Sequence, residues 1–245
     1  MKTLLLSLRE ISKSYGEKNR KVKVLDNISL DIYDEFTSII GPSGSGKTTL
    51  LKIIAGVEKP DTGEIKQYTK DLRIGFVFQF PTLLPWETVL ENVTLPLIAN
   101  GVSREKAREI AEKYLGLVGL SGFEDFYPHE LSGGMRQRVN IARALAIEPT
   151  ILLLDEPFSH LDPLTAENLR SEILDIWLSG ATTVRSIILV THNVDEAILM
   201  SDRIIILTPR PARIAKIINI DLPRPRDRRS VEFQKIEDLV YEYIS

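Results

Sequence analysis

The sequence contains no cysteine. Disulfides and thiolate metal sites are therefore excluded, and the composition suits a reducing compartment. Long apolar runs are also missing, since no stretch approaches the ~18 consecutive apolar residues that a membrane-spanning helix needs. The opening "MKTLLLSLREISKSYG" is apolar only briefly, broken at Ser7, Arg9 and Glu10 with no small-residue cleavage site after it. An amphipathic first strand is expected there, not a signal peptide. Positive charge is not in excess. Lys and Arg total 31 against 34 Asp and Glu, a net charge of −3, without the basic footprint of a nucleic-acid binder. The 3 histidines, His129, His160 and His192, lack metal-ligand spacing. What remains is ordinary for a globular chain. The 43% hydrophobic and 27% charged residues in a length of 245 suffice for one large domain or two small ones.

Strands are expected in "TLLLSLREI", "KVLDNISLDI", "EFTSIIG", "TGEIKQ" and "RIGFVFQ", where β-branched and alternating residues sit between turn signals. From Pro81 to Pro149 the pattern turns helical, with "SREKAREIAEKYLGLVGL" capped by Ser103. "TILLLDEP", "SIILVTH" and "RIIILTP" are short continuous apolar runs, as in strands covered on both faces. Helices at about 163–179 and 193–201 separate them. The alternation predicts an α/β core with a mostly parallel sheet, interrupted by a helical insertion. "DLPRPRDRRS" reads as a solvated connection to a last helix, "SVEFQKIEDLVYEYIS".

"GPSGSGKT", Gly41 to Thr48, fits G-x-x-x-x-G-K-[ST] between an apolar strand and a helix. Gly41, Gly44 and Gly46, with Pro42, Ser43 and Ser45 between them, allow the backbone to curl so that its N–H groups surround phosphates. The dipole of the following helix, which carries Thr49, adds to the attraction. Lys47 is placed to bridge the β- and γ-phosphates, and Thr48 to ligate Mg²⁺. A P-loop nucleotidase is expected.

The strand "ILLLDEP" ends in two carboxylates. Asp155 is expected at Mg²⁺, and Glu156, one residue on, as general base for the attacking water. His192 follows an apolar run at a strand's C-terminal end, where α/β sheets keep their ligand sites. Gln79 in "FVFQF" ends a hydrophobic strand, and its amide can hold Mg²⁺ or orient water. "LSGG" places Ser132 as N-cap of "MRQRVNIARALA", with Gly133 and Gly134 exposing the first N–H groups. It is either an ordinary capped helix or a second phosphate cradle, which would make sense if it closed over a nucleotide held by another subunit.

Taken together, Tyr15, "GPSGSGKT", Gln79, "LSGGMRQR", "ILLLDEP", "SHLD" and His192 resemble, in order and spacing, the ATP-binding subunits of ABC transporters over essentially the whole chain. The resemblance implies the ABC ATPase fold, with an N-terminal antiparallel β subdomain and an inserted α-helical subdomain. It implies one cassette domain over about 1–222, with core and β subdomain at about 1–80 and 150–222 and helical subdomain at about 81–149. Residues 223–245 are then a tail and helix. It further implies two copies sandwiching two ATP molecules head to tail with Mg²⁺. Tyr15 would stack on adenine, and Ser132, Gly133 and Gly134 would contact the γ-phosphate held by the other copy. Ser159 to Asp162 would communicate across the dimer, and Gln79 would begin the loop that senses a membrane partner. The signature commonly has Gln where Met135 stands, a variation familiar in part of the family. His160 stands where Ala is common.

Within the family, "PTLLPWETVLENVTLPL", "TPRPARI" and "LPRPRD" resemble the ATPases of importers for nitrate, sulfonates, taurine and related solutes. These work on the inner face of the cell membrane beside two transmembrane permease subunits and an extracytoplasmic solute-binding protein. The sequence ends soon after the core, without room for a regulatory C-terminal domain. Trp86 lies where the family docks a permease helix, and equally reads as a core tryptophan. Rival classes fit less well. The Gln79 to Ser132 segment is too short for the coiled coil of DNA-repair cassettes, one set of motifs disfavours translation factors, and no guanine-reading N-K-x-D is present.

Overall fold

A computed structural model describes residues 2–17 and 20–244. Met1 and Ser245, at the ends of the expected first and last segments, lie outside the described residues. In chain order, β1 (Leu4–Tyr15), β2 (Val22–Tyr33), β3 (Phe36–Ile40), α1 (Lys47–Ile54), β4 (Thr62–Gln67) and β5 (Ile74–Val77) come first. They are followed by α2 (Val89–Ala99), α3 (Arg104–Leu117), α4 (Gly133–Ala146), β6 (Ile151–Asp155) and α5 (Pro163–Ser179). The remainder is β7 (Ser186–Val190), α6 (Val194–Met200), β8 (Arg203–Leu207), β9 (Ile214–Asn219) and α7 (Val231–Ile244). The chain divides into two compact units, Met1–Leu72 with Arg185–Ser245, and Arg73–Val184.

In the first unit, β1 pairs antiparallel with β2 on one side and β4 on the other. This is the antiparallel sheet that the family resemblance implies. β3 pairs parallel with β7 and β8, and every residue of these strands is buried. Continuous apolar runs suit strands covered on both faces. β9 pairs antiparallel with β8 and is half exposed. Its sequence, IAKIIN, does not alternate cleanly, so periodicity does not reveal it. α6 and α7 contribute Val194, Ala197, Ile198, Phe233 and Val240 to a core that also holds Ile40, Ile204 and Ile206.

The basic stretch before α7 is not simply solvated. Arg224 Nη1 donates to Asp202 (2.6 Å) and its Nη2 to the Met200 carbonyl (2.5 Å), while Arg226 Nη1 donates to the carbonyls of Ser201 (2.6 Å) and Ile198. These carbonyls belong to the end of α6, where donors are otherwise lacking. Burial, with the Arg224 charge beside it, lowers the Arg226 guanidinium to about 10.

In the second unit β5 and β6 pair in parallel. α2, α3 and α4 bury Val93, Leu97, Ala111, Tyr114, Leu115, Val139 and Ala142, a helical layer of the expected kind. Each helix has a side-chain cap. Thr88 and Glu91 form a capping box on α2, and Ser103, Ser132 and Asp162 cap α3, α4 and α5. α2 contains Pro96 and a fully buried Asn92 (0% exposed). The Asn92 side chain accepts from the Leu84 N–H (2.8 Å) and donates to the carbonyls of Leu84, Glu87 and Thr88. One amide thus holds the loop before the helix.

Candidate functional site

The glycine-rich loop of the first unit, the phosphate loop expected from the sequence, links β3 to α1. Gly46 is its hinge and the N-cap of α1, in the left-handed region at φ 107°. A methyl group there would lie 2.7 Å from Val24 Cγ1 and 3.0 Å from Leu25 Cδ2, so only glycine fits. Gly46, the N-cap residue of α1, offers no side chain to cap the helix, and helix N-termini favour anions. Lys47, 5% exposed, donates from Nζ to the carbonyls of Gly41 (2.9 Å) and Pro42 (3.0 Å). The ammonium is folded over its own loop. Ser45 Oγ is buried without a hydrogen-bond partner among the described residues. An uncapped helix, an enclosed ammonium and an orphaned hydroxyl fit a nucleotide's phosphates.

Two further residues of the first unit border strand ends. Tyr15 closes β1 opposite Val22, with its ring exposed and the Lys13 ammonium 5.3 Å from its centroid. His192 follows β7, exposed between two fixed neighbours. Thr191 Oγ1 donates to Glu196 (2.6 Å) and accepts from the Asn193 N–H (3.0 Å). Asn193 caps α6 by accepting from the Glu196 N–H (3.1 Å). The backbone on either side of the imidazole is thereby held.

The second unit carries the carboxylates. Asp155 is the buried last residue of β6. Glu156 turns away from the strand at φ 45°, a left-handed conformation that costs a non-glycine residue about 1 kcal/mol or more and often marks a functional turn. Ser159 Oγ donates to the Glu156 carbonyl (2.9 Å) and braces that turn. The Gln79 amide nitrogen lies 3.4 Å from each of Glu156 Oε2, Ser159 Oγ and His160 Nε2. His160 stacks on Phe80, with ring centroids 4.3 Å apart. His160 is therefore in contact with the Gln79 segment, where the sequence marks only a departure from family usage.

Ser132 accepts the Met135 N–H (3.2 Å) and caps α4, whose first turn contains Gly133 and Gly134. A methyl on Gly134 would lie 2.4 Å from Thr165 Cγ2 of α5. Asp162 caps α5 by accepting the Thr165 N–H (3.0 Å). Hydrogen bonding from Thr165 holds its carboxyl below the ordinary carboxylate range.

Sequence reasoning does not single out the polar face of α4. Gln137 and Asn140 donate to the Phe78 carbonyl (3.4 and 3.0 Å), and Arg143 donates to the Thr82 carbonyl (2.8 Å) and hydroxyl (2.9 Å). These three residues clasp the backbone on both sides of Gln79. The signal was their three-residue spacing along the helix. Trp86 is 69% exposed and Phe80 60%, so Trp86 is not a core tryptophan. No helix among the described residues is long and apolar enough to cross a membrane.

A family model described as "ABC transporter" matches residues 25–159. An uncharacterized ABC transporter ATP-binding protein of Methanocaldococcus jannaschii is 50% identical, over 93% of this chain and 86% of the relative. An aliphatic sulfonates import ATP-binding protein, SsuB of Bacillus cereus, is 44% identical, over 98% of this chain and 95% of the relative. Among solved structures, a dimeric post-hydrolysis ATP-binding cassette bound to ADP and Pi aligns with TM-score 0.77 and 34% identity, covering 89% of this chain and 100% of that one.

Proposed function

This chain belongs to the ABC transporter family and is an ATPase of that family, and from that premise we propose that it powers import of a small sulfonate-like or related solute. The observation that carries the import reading is the near-full-length similarity to SsuB, a protein named for aliphatic sulfonate import. Two copies close around two nucleotides, as the dimeric form of the similar cassette suggests. They work against two transmembrane permease subunits supplied by an extracytoplasmic solute-binding protein, on the inner face of the membrane. Exposed Phe80 and Trp86 in the segment after Gln79 support a permease contact there.

The chain's own groups divide the work. Tyr15 stacks on adenine, and residues Gly41 to Thr49 with Lys47 hold the phosphates. Thr48, Asp155 and Gln79 are oxygen donors suited to Mg²⁺, which would shield phosphate charge when bound. Glu156 accepts a proton from the attacking water, with Gln79 and His192 orienting it. Ser132, Gly133 and Gly134, at an anion-binding helix terminus, serve the nucleotide of the second copy.

Purification of the chain from its native membrane tests the transport reading. It should be recovered with hydrophobic permease subunits, and the associated binding protein should retain a small anionic solute. Recovery only as a free protein, with no permease under mild detergents, would count against import.

A further inference from the structure

We propose that Arg210 is an additional phosphate-binding residue, acting on the nucleotide from outside the Gly41–Thr48 loop. Arg210 lies at the tip of the turn between β8 and β9. A methyl placed on Gly44 would stand 3.5 Å from Arg210 Nη2 and meet no other non-neighbouring atom of the described residues within 4 Å. The guanidinium therefore lies against the mid-point of the phosphate loop, on a side that no other described residue covers.

Its position is fixed by the turn that carries it. The Ala212 N–H donates to the Val24 carbonyl (2.8 Å), and the Asp26 N–H donates to the Ala212 carbonyl (2.9 Å). Arg213 Nε donates to Asp26 (2.7 Å), and the Thr208 hydroxyl accepts the Arg213 N–H (2.9 Å). Val24 and Leu25 are the side chains that press on Gly46. Turn, strand and phosphate loop thus form one packed assembly. Pro209 and Pro211 flank Arg210 and reduce the backbone freedom of the tip.

The electrostatics point the same way. The nearby carboxylate, Asp26, is already taken by Arg213 and Lys23. Arg210 has no hydrogen bond or ion pair among the described residues. The structure thus places an exposed cation without a counter-charge against Gly44, in the same loop that leads into Lys47. A guanidinium matches phosphate oxygens in geometry and charge. A nucleotide's phosphate chain supplies that anion.

The proposal rests on Gly41–Thr48 being the phosphate loop, so Lys47→Ala is measured alongside as its separate control. ATP, ADP and inorganic tripolyphosphate are titrated calorimetrically into the full chain and into Arg210→Gln and Arg210→Lys, each at low and high salt. Arg210→Gln should weaken all three about three- to tenfold, a typical range for one exposed charge-assisted contact, with a shallower salt dependence. Arg210→Lys should recover part of the loss. Wild-type affinity of Arg210→Gln for ATP and tripolyphosphate would overturn the assignment. So would loss confined to ATP-driven dimerisation, which would aim Arg210 at the second copy, or loss for ATP and ADP but not tripolyphosphate. Unchanged binding by Lys47→Ala would instead remove the phosphate-loop reading itself.

Discussion

The amide nitrogen of Gln79 lies 3.4 Å from Oε2 of Glu156. The two residues are 77 positions apart in sequence, brought together because β5 and β6 are parallel neighbours and each residue follows the end of its strand. If Glu156 is the general base we propose, its lone pair must be aimed, and a positioned amide limits how the carboxylate turns. Gln79→Ala should lower kcat about tenfold or more with little change in nucleotide affinity. Steady-state hydrolysis and equilibrium binding, measured together, check this. A purely structural role for Gln79 would change both.

Lys47 is nearly buried and folded over the carbonyls of Gly41 and Pro42. Lys47→Ala should weaken ATP binding about ten- to a hundredfold, the range for loss of hydrogen bonds to a charged group. Calorimetric titration is the readout, and an unchanged Kd would remove Lys47 from the phosphate site.

Gly134 leaves no room for a methyl beside Thr165 Cγ2. Gly134→Ala should destabilise the fold by about 1–3 kcal/mol, as overpacking does. Thr165→Ser deletes that methyl and keeps the N–H that Asp162 accepts. The double variant should regain most of the lost melting temperature, while a simple sum of the two losses would contradict the contact.

Glu35 is almost fully buried and pairs with Arg203, whose Nε lies 2.8 Å from Oε1. Arg203→Met should destabilise the fold, by less than the about 3–5 kcal/mol of a fully unpaired buried carboxylate, because Lys2 still pairs with Glu35. Urea unfolding measures the loss. Adding Glu35→Gln should restore part of it, because the buried charge that has lost one of its two cations is then gone.

How much of this the sequence reveals differs by element. Gly41 to Thr48, the strand ending at Asp155 and the Ser132 cap are local patterns, and local patterns are readable. The buried strands β3, β6, β7 and β8 are continuous apolar runs, so their burial is legible too. β9 is not, because a half-exposed edge strand need not alternate. Arg224 and Arg226 look like solvated charge in sequence, yet they reach the carbonyls that end α6. Gln137, Asn140 and Arg143 are legible as one helix face but not as a clasp on Phe78 to Thr82, since the partner is backbone 59 to 62 residues away. Trp86 shows the same limit, because composition does not tell a core ring from an exposed one.

The central claim is an ATPase that closes as a dimer around nucleotide and opens on hydrolysis. Glu156→Gln removes the proposed base while leaving the side chain's size and the Gly41–Thr49 segment unchanged. Its sedimentation with ATP and Mg²⁺ is the most direct test. The account predicts a stable dimer with ATP and a monomer with ADP, alongside hydrolysis reduced about 10²–10⁴-fold. A Glu156→Gln chain that binds ATP yet sediments as a monomer would contradict it.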